Sequence, residues 1–425
     1  MVRSLHRRKM LGALAGAGTA AVAGCTTGGN SDSQPDRDQD SQEEKSTDTP
    51  SRESVTTETP ETSEPIVGSA SPGKVSDFED LSQWSEVWGS FRADSNHYFS
   101  GSQSALLEIH ENHDRAAIGL EFEEPIDMTG LGVKVALRAD RNVYPWVQIF
   151  DVNRNRIDFR TALRGGLAFQ WFNFGIQNVE GDPDLSAIDE IRIAEHIGEE
   201  NTARIWCDEL HFVDRPTPGK VLLTFDDTNA TDYTTALPML EDHGFVGSTF
   251  VNSGLVGQED NKLTVEHLSE LYDSGWDICN HTTQHQNLPK LSRGKMEAAI
   301  REGKQWLVDH GFDRGAEYFA YPKSSYDQSV LDLVEQYHTL GFVGGYPAIG
   351  EISNELLIHR PSGDVSAEAA RHRIDLTAEY GGITTLLYHH LTDKRESALT
   401  ETVEYLAEQE SAGAVEVIPA RALDS

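Results

Sequence analysis

Residues 221–232 read VLLTFDDTNATD. Val221 to Phe225 is the kind of apolar run that forms a strand buried on both faces of a parallel sheet, yet it ends in two adjacent carboxylates, Asp226 and Asp227. Like charges side by side repel, so an apolar strand that ends in two of them needs a reason to do so.

Downstream, the chain keeps one rhythm. After Arg215-Pro216-Thr217-Pro218-Gly219, a proline-bearing hinge, come the helical TTALPMLEDHG, then GSTFVNS, helical TVEHLSELYDSG, WDICNH and a long helix around KMEAAIREGKQWLVDHG. EYFAYP, SVLDLVEQYHTLG, GFVGGY, LLIHRP, SAEAARHRIDLTAEYGG, TTLLYHH, ETVEYLAEQESAG and VEVIPA continue it. Eight strand candidates alternating with helices predict a deformed (β/α) barrel over residues 219–425, with one strand weak or missing.

The active site of such a barrel lies where its strands end. The first strand ends in Asp226 and Asp227, the third in Asn280-His281 with His285 four residues on, and the fourth in Tyr321-Pro322. The sixth ends in His359-Arg360 and the seventh in His389-His390. Metal-ligand and acid/base residue types therefore gather on one rim from distant parts of the sequence.

TFDD at one strand end, HTTQH at a later one and a histidine after LLY, in that order, resemble the polysaccharide deacetylase family, the NodB-homology domain of carbohydrate esterase family four. The resemblance covers residues 219–425. It implies that Asp227, His281 and His285 hold a divalent metal, with open positions for water and a substrate carbonyl. Zinc is the expected ion, and nitrogen and oxygen donors also admit iron, cobalt, nickel or manganese. Asp226 is then the general base for the attacking water, and His389 the general acid for the departing amine, with His390 its competitor. FAYPKSSYD resembles the third motif of the family, in which the amide after the proline, here that of Lys323, binds the oxyanion. Two positions depart from the pattern. Ala320 stands where many members carry an arginine that holds the catalytic aspartate, and Thr228 replaces the usual glycine after TFDD. Arg360, at a neighbouring strand end, is placed to supply the missing guanidinium, the alternative being a surface salt bridge.

Upstream, from about Gly73 to residue 215, SALLEIH, GVKVALRA, WVQIFDVN, LAFQWFNF, EIRIAE and RIWCDELHFV are short runs separated by turn residues, the pattern of an antiparallel β-sandwich. DFEDLSQW, YFSGSQSALLEI and IWCDELHFVD resemble jelly-roll sandwiches of the galactose-binding or carbohydrate-binding-module type. Five of the seven tryptophans lie here, Trp84, Trp88, Trp146, Trp171 and Trp206, most of them expected in the core. Cys207 and Cys279 are expected as small core residues, with no disulfide framework.

The N-terminus MVRSLHRRKMLGALAGAGTAAVAGC has Arg7-Arg8 ahead of a short small-residue run, which reads as a twin-arginine signal over residues 1–25 ending in a lipobox at Cys25. Export and lipid anchoring on the outer face of the membrane are the expectation. Residues 26–72 are dominated by Ser, Thr, Asp, Glu, Gln and Pro and are expected to form a disordered acidic tether. With 70 acidic against 35 basic residues, a formal charge of -35, the chain has no basic groove for nucleic acid and suits a high-salt medium.

The reading is a multidomain, membrane-tethered, metal-dependent hydrolase acting on an N-acetylated polysaccharide or oligosaccharide. A hydrolase of another amide, imide or peptidic, and a non-catalytic glycan-binding surface protein are the alternatives.

Overall fold

Leu222, Thr224 and Asp226 alternate with Val221, Leu223 and Phe225 along the first barrel strand, and the two sets face opposite ways as a period of two requires. In the computed structural model, which describes residues 69–424 apart from 112, 199–200, 346–349 and 351, Leu222 joins a buried cluster inside the barrel with Phe250, Cys279, Phe342 and Ile358. Val221, Leu223 and Phe225 instead pack outward with Leu268, Leu271, Leu399 and Val403. Asp226 thus ends the inward row, and Asp227 lies just beyond it.

Eight parallel strands build this sheet: β1 Gly219–Asp226, β2 Ser248–Val251, β3 Asp277–Asn280, β4 Tyr318–Ala320, β5 Leu340–Gly344, β6 Ile358–Arg360, β7 Ile383–Tyr388 and β8 Val415–Val417. Their order is β6-β5-β4-β3-β2-β1-β7. The sheet is nearly closed, since β6 and β7 meet only past the end of β6, where Leu387 N donates to Pro361 O and Gly363 N to Leu387 O. Strand β8 is the weak one. It pairs with Gly219–Val221 on the edge of β1 whose other half, Thr224–Asp226, pairs with β2.

The connecting helices are α1 Leu237–Glu241, α2 Val265–Asp273, α3 Arg293–Asp309, α4 Gln328–Tyr337, α5 Ala367–Tyr380 and α6 Asp393–Ser411. Caps set several starts: Thr264 accepts from His267 N ahead of α2, Asp327 from Val330 N ahead of α4, and Ser366 from Ala369 N ahead of α5. The stretch read as one helix from Thr234 is instead a π-turn, Asp232–Ala236, running into the short α1.

The preceding residues form two antiparallel six-stranded sheets. One has the order Ser90–Asp94, Ser104–Ile109, Ala203–Asp214, Leu131–Ala139, Gln170–Asn173, with Gly73–Ser76 added along Ala203–Asp214. The other runs Gly175–Glu180, Arg156–Arg160, Trp146–Asp151, Ile188–His196, Arg115–Ile126, Trp84–Trp88. Val147, Ile149, Ile157, Phe159, Ile191 and Ile193 of one share a core with Leu107, Val133, Val135, Leu137 and Ile205 of the other.

The tryptophans correct the expectation. Of the five in the sandwich, only Trp84 and Trp206 are buried, while Trp146 and Trp171 are half-buried and Trp88 is exposed. Outward strand positions leave large aromatics on the sheet surface, where Arg160 covers Trp146 and Lys134 covers Trp171. Cys207 and Cys279 are buried and unpaired. The signal, Cys25 and most of the tether lie outside the described residues.

Candidate active site

The two aspartates part company at the end of β1. Asp226 is buried and receives both arms of the Arg360 guanidinium, 2.8 and 2.7 Å from its two oxygens. Arg360 is 1 % exposed, so the surface-salt-bridge alternative is excluded. It reaches Asp226 because Ile358 and Arg360 share the inward face of β6, which turns His359 outward into a buried position behind the sheet.

Asp227 leaves the strand with a φ of 78° and swings to the histidines. Its Oδ1 lies 3.6 Å from His281 Nε2 and 3.4 Å from His285 Nε2. One donor atom from each of the three side chains falls within 4.8 Å of the others. Ligand bonds of ~2.0–2.2 Å in a tetrahedral array would separate neighbouring donors by ~3.3–3.6 Å, so the residues fit a small divalent cation. The tautomer fits as well: His281 Nδ1 donates to Ala320 O at 2.8 Å, which leaves the Nε2 lone pair facing Asp227.

Holding these directions takes an unusual backbone. Of nine non-glycine residues with positive φ among the described residues, six lie here: Asp227, Thr228, Thr282, His285, Lys323 and Ser324. Left-handed conformations cost side-chain-bearing residues roughly 1–3 kcal/mol each and persist only where the surroundings impose them. At Thr228, where the family pattern has glycine, the hydroxyl accepts from Asn252 N at 2.7 Å, and Asn252 Nδ2 in turn donates to His281 O at 2.5 Å.

His389 follows the last residue of β7, so strand alternation does not separate it from His390, and both line the same cleft. Arg395 holds the backbone carbonyl of His390, but the ring with an anchor is that of His389: its Nδ1 lies 2.7 Å from Asp364 Oδ2, and its backbone N donates to Asp364 Oδ1 at 3.3 Å. The cleft, about 500 Å³, is also lined by Asp227, Asn229, Asn252, Lys262, His285 and Arg395. The side chain of Lys323 is exposed on the loop after β4, and its charge is near enough to act on His285.

The electrostatics differ residue by residue. Burial pushes the Asp226 carboxyl up, but the Arg360 guanidinium and His281 outweigh it and hold it below the usual carboxylate range. Burial also raises Asp227, and when the His281 ring is protonated its hydrogen bond and charge bring the carboxyl down again. His285 is depressed by burial and by His281. Burial pulls His389 down, yet the Asp364 hydrogen bond, with the charges of Asp226 and Asp364, leaves it above the ordinary histidine value.

Sequence reasoning missed Asp364, Asn252, Lys262 and Arg395. Asp364 sits four residues past Arg360 on the rim, and its position just after a strand end was the available signal. Lys262 donates to Asp227 O at 2.8 Å from a loop with no recognisable pattern.

Residues 214–340 match the family model described as polysaccharide deacetylase. That span includes Asp226, Asp227, His281, His285 and Lys323, whereas Arg360 and His389 fall outside it. The chain is similar to the putative polysaccharide deacetylase YxkH of Bacillus subtilis strain 168, at 28 % identity over 122 residues, which are 29 % of this chain and 43 % of that protein. It is also similar to the poly-beta-1,6-N-acetyl-D-glucosamine N-deacetylase of Staphylococcus aureus strain MRSA252, at 26 % identity over 168 residues, 36 % of this chain and 57 % of that protein. The chain thus spans about half the length of the curated relatives it matches. Among solved structures, the family 4 carbohydrate esterase from Streptomyces lividans in complex with acetate is 17 % identical with a TM-score of 0.36, covering 46 % of this chain and 90 % of that one.

Proposed function

We propose that this chain is a metal-dependent deacetylase that hydrolyses N-acetyl groups on an extracellular polysaccharide. The observation that carries the reading is the division of labour at the end of β1: one aspartate is clamped by Arg360 and the next is shared between two imidazoles.

A divalent cation held by Asp227, His281 and His285, with zinc the expected ion, would supply Lewis acidity toward the acetamide carbonyl and toward a water. The other roles belong to side chains and backbone. Asp226 stays ionised because Arg360 offsets its burial, and a carboxylate whose two oxygens each accept one guanidinium arm still has lone pairs to receive the proton of the attacking water. As the oxygen adds to the carbonyl carbon, charge gathers on the carbonyl oxygen, and the Lys323 amide is the donor the family motif provides for it. The carbon–nitrogen bond then breaks toward nitrogen. His389, kept protonated by Asp364, gives its proton to the departing amine, so amide and water become amine and acetate.

The wider assignment is part of the same proposal. Twin-arginine export and lipidation at Cys25 would tether the enzyme outside the membrane, and Cys25→Ser should release it into the medium. The sandwich leaves Tyr98 and Phe99 exposed, aromatic surfaces able to stack on sugar rings. The -35 charge fits a molar-salt medium, so the unfolding midpoint should rise with potassium chloride.

Incubating the protein with N-acetylglucosamine oligomers tests the reaction. Acetate release, abolished by chelator and restored by zinc, is expected. No release from any N-acetylated glycan in the presence of metal would sink the proposal.

A further inference from the structure

We propose that Arg164, a residue of the sandwich, is a positioning residue for the barrel loop that carries the oxyanion-binding amide, an inference that rests on the deacetylase reading. Lys323 and Ser324, just after β4, have consecutive φ values of 60° and 49°. Two neighbouring non-glycine residues in left-handed conformation do not hold themselves there.

The barrel's own restraints on the loop run mostly through hydroxyls and short turns. Ser324 N donates to Tyr321 O and Ser325 N to Pro322 O, the Ser324 hydroxyl accepts from Gly344 N on β5, and the Ser325 hydroxyl donates to Asn287 Oδ1 at 3.2 Å. Close packing does not finish the task, because a cavity of about 190 Å³ lies against Ser324, Tyr326 and Gly344. Arg164 reaches across from the loop after the sandwich strand Arg156–Arg160. Its guanidinium donates to Ser324 O at 3.0 Å and to Tyr326 O at 2.9 Å, and its Cζ lies 4.4 Å from the centre of the buried Tyr326 ring. A rigid planar fork that binds two carbonyls two residues apart fixes the path of the chain between them, which a single ammonium cannot do.

A second contact shows the same division between the two parts. Asn173, buried at the end of the sandwich strand Gln170–Asn173, donates to Asn354 O and Leu357 O and accepts from Ser353 N and Asn354 N. That turn leads straight into β6, which delivers Arg360 to Asp226. The sandwich thus grips both the segment bearing the oxyanion donor and the segment feeding the aspartate clamp. Its place in the reaction is in the architecture of the site, whether or not it touches glycan.

The test compares the full chain with its Arg164→Ala and Arg164→Lys variants. Three quantities are read: steady-state acetate release, zinc affinity, and hydrogen exchange of the peptide covering residues 318–328. A displaced oxyanion donor should lower kcat by about 10- to 100-fold in Arg164→Ala while KM and zinc affinity stay within about twofold, with Arg164→Lys recovering only part of the loss. Exchange in that peptide should accelerate while the β1 and β3 peptides are unchanged. Should Arg164→Ala fail to fold, Arg164→Lys decides alone: reduced kcat at constant KM supports the proposal, and wild-type kcat overturns it. If the unmodified protein releases no acetate, the deacetylase reading falls and exchange alone judges Arg164: unaltered exchange at residues 318–328 overturns its positioning role, and faster exchange upholds it.

Discussion

Arg360 approaches Asp226 from the strand five places away in the sheet, and its two terminal nitrogens lie 2.8 and 2.7 Å from the two carboxylate oxygens. Both side chains are buried. The chain has Ala320 at the end of β4, where the family pattern has an arginine, and carries Arg360 at the end of β6 with its guanidinium on Asp226.

Removing one partner of a buried ion pair strands the other charge, at a cost of about 3–5 kcal/mol. Arg360→Ala should therefore be markedly less stable, with kcat lower by about 10²- to 10³-fold as Asp226 loses its fixed orientation and its low pKa. Zinc content should be retained, because Asp227, His281 and His285 do not touch Arg360's guanidinium. Arg360→Lys should fall between, since an ammonium cannot pair with both oxygens at once. Turnover equal to that of the unaltered protein would show that the clamp is not needed.

The metal triad makes a separable prediction. A ligand that binds only the folded state at 100 times its Kd adds about 2.7 kcal/mol of stability. Zinc added to chelated protein should raise the Tm, and His285→Ala should lose most of that increment with little change in the Tm of the metal-free protein, because His285 is only half-buried. An equal zinc-dependent rise in His285→Ala would remove His285 from the ligand set.

The pH profile tests Asp364. Because the folded-state pKa of His389 is raised, the stability gained from its protonated ring is complete below the unfolded value and is lost as pH rises through the folded one. A general acid held in this way loses activity on the alkaline side. Asp364→Asn removes the carboxylate that holds the proton, so the alkaline limb of kcat should move to lower pH and the deficit should grow as pH rises. A uniform loss at every pH would mean that Asp364 orients the ring without setting its protonation.

Much of this site is legible in the chain because strand ends are legible. An apolar run followed by a charged or imidazole residue locates the carboxyl rim, and period-two alternation separates Asp226 from Phe225 and Arg360 from His359. Asn252 directly follows β2 and Asp364 lies four residues past β6, so strand ends pointed to both without saying what either would bind, whereas Lys262 stayed hidden on a loop whose course is set by tertiary contacts. Half of the sandwich strands were hidden for a related reason. Arg156–Arg160 and Gly175–Glu180 are short and carry polar residues on their outer face, and Arg115–Ile126 contains the unbroken AAIGL in place of alternation. The tryptophans were misjudged because composition does not say which face of a strand a residue occupies.

Thr228 offers a last prediction, in which two effects oppose each other. It sits fully buried at a φ of 60°, a conformation that a β-branched residue holds at a cost of roughly 1–2 kcal/mol. Its hydroxyl accepts from Asn252 N, and Asn252 then holds the carbonyl of His281. Thr228→Val keeps the shape and the strain but leaves the buried Asn252 N–H without an acceptor, which costs about 1–3 kcal/mol. Thr228→Gly loses the same hydrogen bond but relieves the strain. Urea unfolding should therefore rank the parent chain most stable, then Thr228→Gly, then Thr228→Val. Zinc affinity should fall in both variants as His281 loses part of its support. If Thr228→Val proved as stable as the parent, the hydrogen bond to Asn252 would not be what allows threonine to stand where the family pattern has glycine.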